Sequence, residues 1–206
     1  MSIEPDSLRP LGRVVRLQIQ RSNLKLGEKP NRYYDPAPIL AVDELTLTPQ
    51  GALARLADGG VLMDIHHAAH PNTRNRDRTN DVSVGFTPHY AAMRQRFGPY
   101  LVDGCAGENI LIETAALARI TLAHLAGGLV IRPVGREGAV ALRVLGVDPP
   151  CREFSGYATR DTAPESIKQA LQFLDDGLRG FYCSLASPGS MTINVGDEVF
   201  VRALNP

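Results

Sequence analysis

Between Arg13 and Gln20 the chain alternates, with Val15, Leu17 and Ile19 on one side and Arg16, Gln18 and Gln20 on the other. That period of two predicts a half-buried strand. Leu45-Thr46-Leu47-Thr48 repeats the pattern and runs into a Pro49-Gln50-Gly51 turn. Asn109 to Ile112, Gly128 to Arg132, Val140 to Val147, Phe181 to Leu185 and Glu198 to Arg202 read as further strands. Two segments follow a helical period instead. In the first, Thr87 caps, Pro88 takes the first helical position, Tyr90, Met93 and Phe97 share a face, and Gly98 terminates. The second opens on a capping box, Thr162-Ala163-Pro164-Glu165, and presents Ile167, Ala170, Leu171 and Leu174 on one face. The expectation is a mainly β fold with flanking helices packed on the sheet. Asn23 to Pro38, with three prolines and several charges, reads as a long surface loop.

Composition narrows the class. A chain of 206 residues, 44% of them hydrophobic, buries roughly 70% of its unfolded surface and builds one core without metals or disulfides. We assign residues 1–12 to an N-terminal tail and 13–204 to a single domain. Lys plus Arg and Asp plus Glu are both 22, so no global field recruits nucleic acid or an anionic membrane. Only Lys25, Lys29 and Lys168 are lysines; the other basic residues are arginines, whose planar fork suits phosphate and carboxylate. The first residues are acidic where a signal peptide is basic, and the apolar run Ile120 to Ile131 is too short to span a bilayer. Cys105, Cys151 and Cys183 form no C-x-x-C pair, which argues against a disulfide framework or thiolate zinc site and for a reducing, cytoplasmic setting.

Three stretches carry candidate chemistry. Met63 to Val84 holds His66, His67 and His70 together with Arg74, Arg76 and Arg78. Alternate arginines offer forked donors to an oxyanion, while Arg-Asp pairing within a solvated loop is the plainer alternative. His66 and His70 have helical zinc spacing but no helical pattern around them. Cys151 follows Pro149-Pro150, which present the thiol, and precedes Arg152; thiolate is the form that attacks, carries sulfur or ligates a soft metal. Cys183, alternating with Phe181 and Leu185, reads as a small hydrophobe, and Cys105 fits either role. Gly104-Cys105-Ala106-Gly107-Glu108-Asn109 reads as a tight turn whose polar pair satisfies backbone amides, or as a backbone that must pass close to a ligand.

In order and spacing these segments resemble the MOSC domain, the family named after the C-terminal domain of molybdenum cofactor sulfurase. Asp64-Ile65-His66-His67-Ala68-Ala69 is similar to its D-x-H-H-small-small element, and Gly107-Glu108-Asn109-Ile110 to its G-E-N-hydrophobic signature. Pro150-Cys151-Arg152-Glu153-Phe154 resembles the segment that holds the family cysteine. Gly177 to Tyr182, then Gly189 to Val199, resemble the closing R-G-x-Y and G-D-x-V strands. The likeness spans roughly Arg13 to Leu204 and implies a barrel-like β fold that binds molybdenum cofactor, a molybdopterin. It makes Cys151 a molybdenum ligand in a reductase of N-hydroxylated compounds, or a persulfide sulfur carrier. With that cofactor, the expected contacts are His66, Arg76, Arg78, Glu108, Asn109 and Arg179, with the Arg74 to Arg78 loop toward its phosphate. Met63 and Ile65 stand where the family often has glycine and arginine, and Asp148 near where many members have arginine. These departures suit the alternative, a binding module of the same fold that has lost the cofactor. No aminotransferase-like segment precedes Arg13, so pyridoxal phosphate is not expected. Expected partners are a small-molecule substrate or cofactor and an electron-donor or sulfur-donor protein, with neither nucleic acid nor membrane.

Overall fold

The computed structural model describes residues 8–56, 58–114, 119–187 and 189–203. In chain order its strands are β1 (Leu8–Gln20), β2 (Lys25–Leu26), β3 (Tyr33–Tyr34), β4 (Ile39–Val42), β5 (Glu44–Thr48), β6 (Gly51–Arg55) and β7 (Val61–Met63). There follow β8 (Val82–Phe86), β9 (Ile110–Glu113), β10 (Leu129–Arg132), β11 (Val140–Val147), β12 (Phe181–Leu185), β13 (Met191–Asn194) and β14 (Glu198–Arg202). The helices are α1 (Thr87–Phe97), α2 (Arg152–Thr159) and α3 (Pro164–Leu174).

Long β1 pairs with three partners in turn, β14 first, then β9, then β4. Its register shifts between Pro10 and Gly12 and again between Val14 and Arg16, and such bulges bend a strand round a closing sheet. The β1–β14 pairing closes a ring of seven strands, β1-β9-β8-β12-β11-β10-β14, and β4 extends β1 beyond it. Every neighbour in the ring is antiparallel except β8 and β9, where Val84 faces Ile110 in parallel register. Parallel neighbours need a crossover, and α1 with the segment after it supplies one. A second sheet, β13-β5-β6-β7, lies against the barrel.

Two apolar clusters hold this arrangement. The barrel's own includes Val14, Leu17, Ile19, Val84, Phe86, Ile112 and Phe181, joined by Leu45, Leu47 and Ile193 from the second sheet. The other includes Tyr90 and Met93 of α1, Phe154 and Ala158 of α2, Leu174 of α3 and Leu111 of β9.

The mainly β prediction holds, and β11, β12 and β14 have the expected bounds. Several details differ. β1 begins at Leu8, so residues 8–12 pair with β14 and are barrel, not tail. The bulge after Val14 breaks the expected alternation, sending Val14 into the barrel and Val15 to the helical layer. Asn23 to Pro38 is more than a surface loop: β2 and β3 form a hairpin, and Leu24 and Tyr34 are buried. Thr87 is already inside α1, whose cap position is Phe86. The expected capping box of α3 does not form. Ala163 takes the cap position and the Asp161 carboxylate accepts the Ala163 N–H at 2.9 Å and the Ser166 hydroxyl at 2.5 Å. Helix α2 was not expected, nor were β6 and β7 of the second sheet, whereas β13 falls within the Gly189 to Val199 stretch that the resemblance gives as strand.

Candidate functional site

Asp64, directly after β7, is the pivot of the cleft. Its carboxylate is fully buried and accepts four hydrogen bonds, from the Gln20 N–H (2.7 Å), the Asn109 side-chain amide (2.9 Å), and the N–H and Nδ1 of His66 (2.9 Å each). Burial opposes ionisation, but these bonds and the nearby imidazole outweigh it and hold Asp64 below the usual carboxylate range. An ionised Asp64 assigns the proton to His66 Nδ1, which leaves Nε2 for a ligand.

Asn109 sits beneath this pair and uses its whole amide inside the protein. Besides Asp64, it donates to the Gln18 carbonyl (3.2 Å) and accepts from the Ser83 N–H (3.0 Å) and hydroxyl (3.2 Å). It thereby ties β1, β8 and the segment after β7 together. Small residues on the outer face of β8 make room for this: Ser83 binds Asn109, and a Cβ on Gly85 would lie 2.8 Å from Glu108 Oε1.

Glu108 is buried, accepts the Tyr90 hydroxyl at 2.9 Å through Oε2, and has no partner for Oε1 among the described residues. Burial pushes its pKa up to about 7, against the pull of its own backbone amide, Tyr90 and Arg179. The Tyr90 oxygen in turn accepts the Ala106 N–H at 2.9 Å. The turn carrying these residues needs Gly107: its φ is +95°, and a Cβ there would lie 2.8 Å from Leu24 and 2.9 Å from the Gln20 amide. The segment is the tight turn read from the sequence, but the Ala106 N–H goes to the Tyr90 hydroxyl and the Gly107 N–H to the Gly104 carbonyl instead of to the polar pair, and Ala106 and Gly107 also line a cavity.

That cavity, about 360 Å³, is walled by the β2–β3 hairpin, the loop after β7, and residues around β11 and β12. Lys25, Arg32, His66, Arg74 and Arg179 supply its basic groups, and Asp77 and Asp148 its acids. Arg179 is only 7% exposed; it donates from Nη2 to the Ala106 carbonyl (3.1 Å) and Asp148 (3.3 Å) and lies 3.9 Å over the Phe154 ring. Its Nε and Nη1 have no partner among the described residues. Tyr182 donates to Asp148 at 2.7 Å, and burial together with that carboxylate pushes the phenol up. Cys151 is the cap residue of α2, half-buried, and close enough to Arg179, Tyr34 and Tyr182 to influence all three. The other two cysteines are buried, and burial pushes both thiols up to about 12. That resolves Cys105 toward an inert thiol.

Of the residues singled out from sequence, His66 and Arg179 line the cavity, Asn109 and Glu108 lie beneath its wall, and Cys151 stands beside it. Arg76 and Arg78 are outside. Arg76 faces an adjoining groove. Arg78 is drawn away to Asp81, at 2.8 Å, and to the Pro49 carbonyl. Sequence reasoning passed over Lys25, Arg32 and Tyr182 as site residues. The first two sit in a segment read as loop, whereas Tyr182 closes the R-G-x-Y stretch and its alternation with Cys183 was a usable signal. Among the described residues no three His, Cys, Asp or Glu side chains gather as a metal site.

A family profile described as MOSC domain matches residues 72–200. Among solved structures, the YuaD protein from Bacillus subtilis is similar with a TM-score of 0.59 and 14% identity, over 96% of this chain and 100% of that one. A crystal structure described as a hypothetical protein gives a TM-score of 0.52 at 14% identity, over 93% and 67%. YiiM from Geobacillus stearothermophilus gives 0.48 at 13% identity, over 96% and 75%. At these identities the first two bear on fold alone. No curated protein matched the chain.

Proposed function

Because the chain belongs to the MOSC domain family, we propose that the cavity beside Cys151 takes a molybdenum cofactor, with the Cys151 thiol as the protein's ligand to the metal, in a reductase of N-hydroxylated compounds. The observation that carries this reading is Arg179, a buried guanidinium on the cavity wall with two unspent donors. Leaving such donors unmatched costs about 1–3 kcal/mol each, so the site suits an oxyanion such as the cofactor's phosphate. The donor set fits the group: Arg179 and Lys25 would hold its phosphate, His66 Nε2 would contact its polar edge, and Cys151 offers the soft donor that molybdenum prefers. When bound, the cofactor supplies two-electron chemistry at the metal. The chain's own part is to orient and to hold protons: Asp64 fixes the His66 tautomer, and Asp148 fixes the Tyr182 hydroxyl on the cavity wall. A second reading, sulfur carriage as a Cys151 persulfide, draws support from the position of that thiol beside the cavity rather than inside it, where a donor protein can reach it.

Metal and pterin analysis of protein purified anaerobically from a host that makes the cofactor tests the proposal. Equimolar molybdenum and pterin are expected in the wild type, and at least about tenfold less pterin in Arg179→Gln, the cost of losing charge-assisted bonds. Cys151→Ser should stay folded yet lose turnover, since a hard hydroxyl replaces neither a thiolate ligand nor a sulfur carrier. Wild-type protein free of both molybdenum and pterin sinks the proposal and leaves a module that keeps the fold without the cofactor. Persulfide labelling of a cofactor-free wild type, absent in Cys151→Ser, decides for sulfur carriage.

A further inference from the structure

Beside the cavity lies a larger groove of about 810 Å³ that the proposed function does not use. Three guanidiniums, Arg21, Arg74 and Arg76, border it with the His70 ring, against the single carboxylate of Asp77. None of the three is in an ion pair among the described residues, and the one hydrogen bond they make is a long one, from Arg21 Nε to the Pro38 carbonyl at 3.4 Å. Like charges gathered round a concave surface repel, and the arrangement is relieved by a counter-anion.

The loop that carries two of them is built, not slack. Asn75 is buried between Arg74 and Arg76; its side chain donates to Asp81 at 2.8 Å and accepts the Asn80 N–H at 2.9 Å. The Arg74 N–H bonds to the Ile65 carbonyl at 3.1 Å, and the His70 and Thr73 side chains each accept a backbone N–H two residues on. The same scaffold diverts Arg78 to Asp81 and leaves its two predecessors facing the groove. A backbone fixed in this way loses little freedom when an anion arrives. The groove is far larger than an inorganic ion, and Asn23, Arg74 and Asp77 belong to both its lining and that of the cavity.

We propose that this groove is a second anion site, adjoining the cavity across Arg74, which takes a phosphate or carboxylate group carried on a ligand larger than the ion itself. Arg21 and Arg76 line the groove and not the cavity, so the assignment rests on them and not on what occupies the cavity.

Nitrogen-15 NMR of the arginine Nε–H groups reads the groove directly in the full chain. Inorganic phosphate, titrated at constant ionic strength against chloride, should shift Arg21, Arg74 and Arg76 along one saturating curve and leave Arg78 still. A phosphomonoester with an attached body, adenosine 5′-monophosphate, should bind the same arginines more tightly than free phosphate. In the Arg21→Gln, Arg76→Gln double variant both affinities should fall at least about a hundredfold, the scale of two lost charge-assisted bonds. Shifts that never saturate or that chloride reproduces overturn the site, as does a double variant with unchanged affinity. Equal affinity for phosphate and the nucleotide overturns the larger ligand. Arg179 reports the cavity separately, so its silence in these titrations counts against the cofactor reading and not against the groove.

Discussion

Four hydrogen bonds meet at the side chain of Asn109, one of them to the carboxylate that fixes His66. Its amide therefore acts as a cross-link between strands, and its effect on a ligand runs through Asp64. Removing it strands buried groups on three segments, so Asn109→Ala should lower stability by about 3 kcal/mol in urea unfolding. Asn109→Asp should cost more at pH 7, because a second carboxylate would face Asp64, and the excess should shrink on acidification as one of the pair takes up a proton. A loss below about 1 kcal/mol in the alanine variant would remove the cross-link from the account. Sequence made Asn109 and Glu108 visible as a polar pair at a turn but not the direction of their side chains. That direction is set by Ser83 and Gly85 across the parallel β8–β9 pair, a partnership no local pattern encodes.

Helix α2 joins the thiol to the cavity wall. It runs for eight residues, and its apolar pair Phe154 and Ala158 is i, i+4 on a buried face. Phe154 packs edge-on against Tyr34 of β3, with ring centroids 5.1 Å apart, and carries Arg179 on its face. Tyr34 donates to the Cys105 carbonyl at 2.8 Å, and Arg32 pairs with Glu153 at 2.5 Å, so hairpin, helix and turn form one clasp. Phe154→Ala should cost about 3–5 kcal/mol and raise amide exchange in β2–β3 before it does so in the barrel. Equal exchange in both regions would mean the clasp is not a unit. So short a helix was hard to read: two prolines precede it, Gly156 interrupts it, and Cys151 offers no side-chain cap. β8 escaped for a related reason, since Ser83 and Gly85 look like loop until Val82, Val84 and Phe86 are seen filling the barrel. The strands that did declare themselves, β11, β12 and β14, combine apolar alternation with turn residues at their ends.

Over the whole molecule, zero formal charge conceals groups that burial sets against each other. His89, packed among Phe86 and Phe181 with Nε2 accepting the Ile120 N–H at 2.9 Å, is pushed down to about 4 by burial and the Arg119 charge. Glu108 is pushed up to about 7. Between pH 4 and 6.5 the unfolded chain binds a proton at this histidine that the fold refuses, so His89 makes stability rise with pH. Between 4.5 and 7 the fold holds a proton at Glu108 that the unfolded chain releases, so Glu108 makes stability fall with pH. Across their overlap the two slopes oppose, each at most about 1.4 kcal/mol per pH unit. His89→Gln should therefore tilt the urea-unfolding profile downward with rising pH relative to the wild type, and Glu108→Gln should tilt it upward. Taking each variant as a difference from the wild type cancels the unchanged contributions of Asp64, His67 and Glu153. A profile that keeps the wild-type slope in Glu108→Gln would mean that this carboxyl is ionised in the fold through the window, and the cleft beneath the cavity would then carry a negative charge that burial does not suppress.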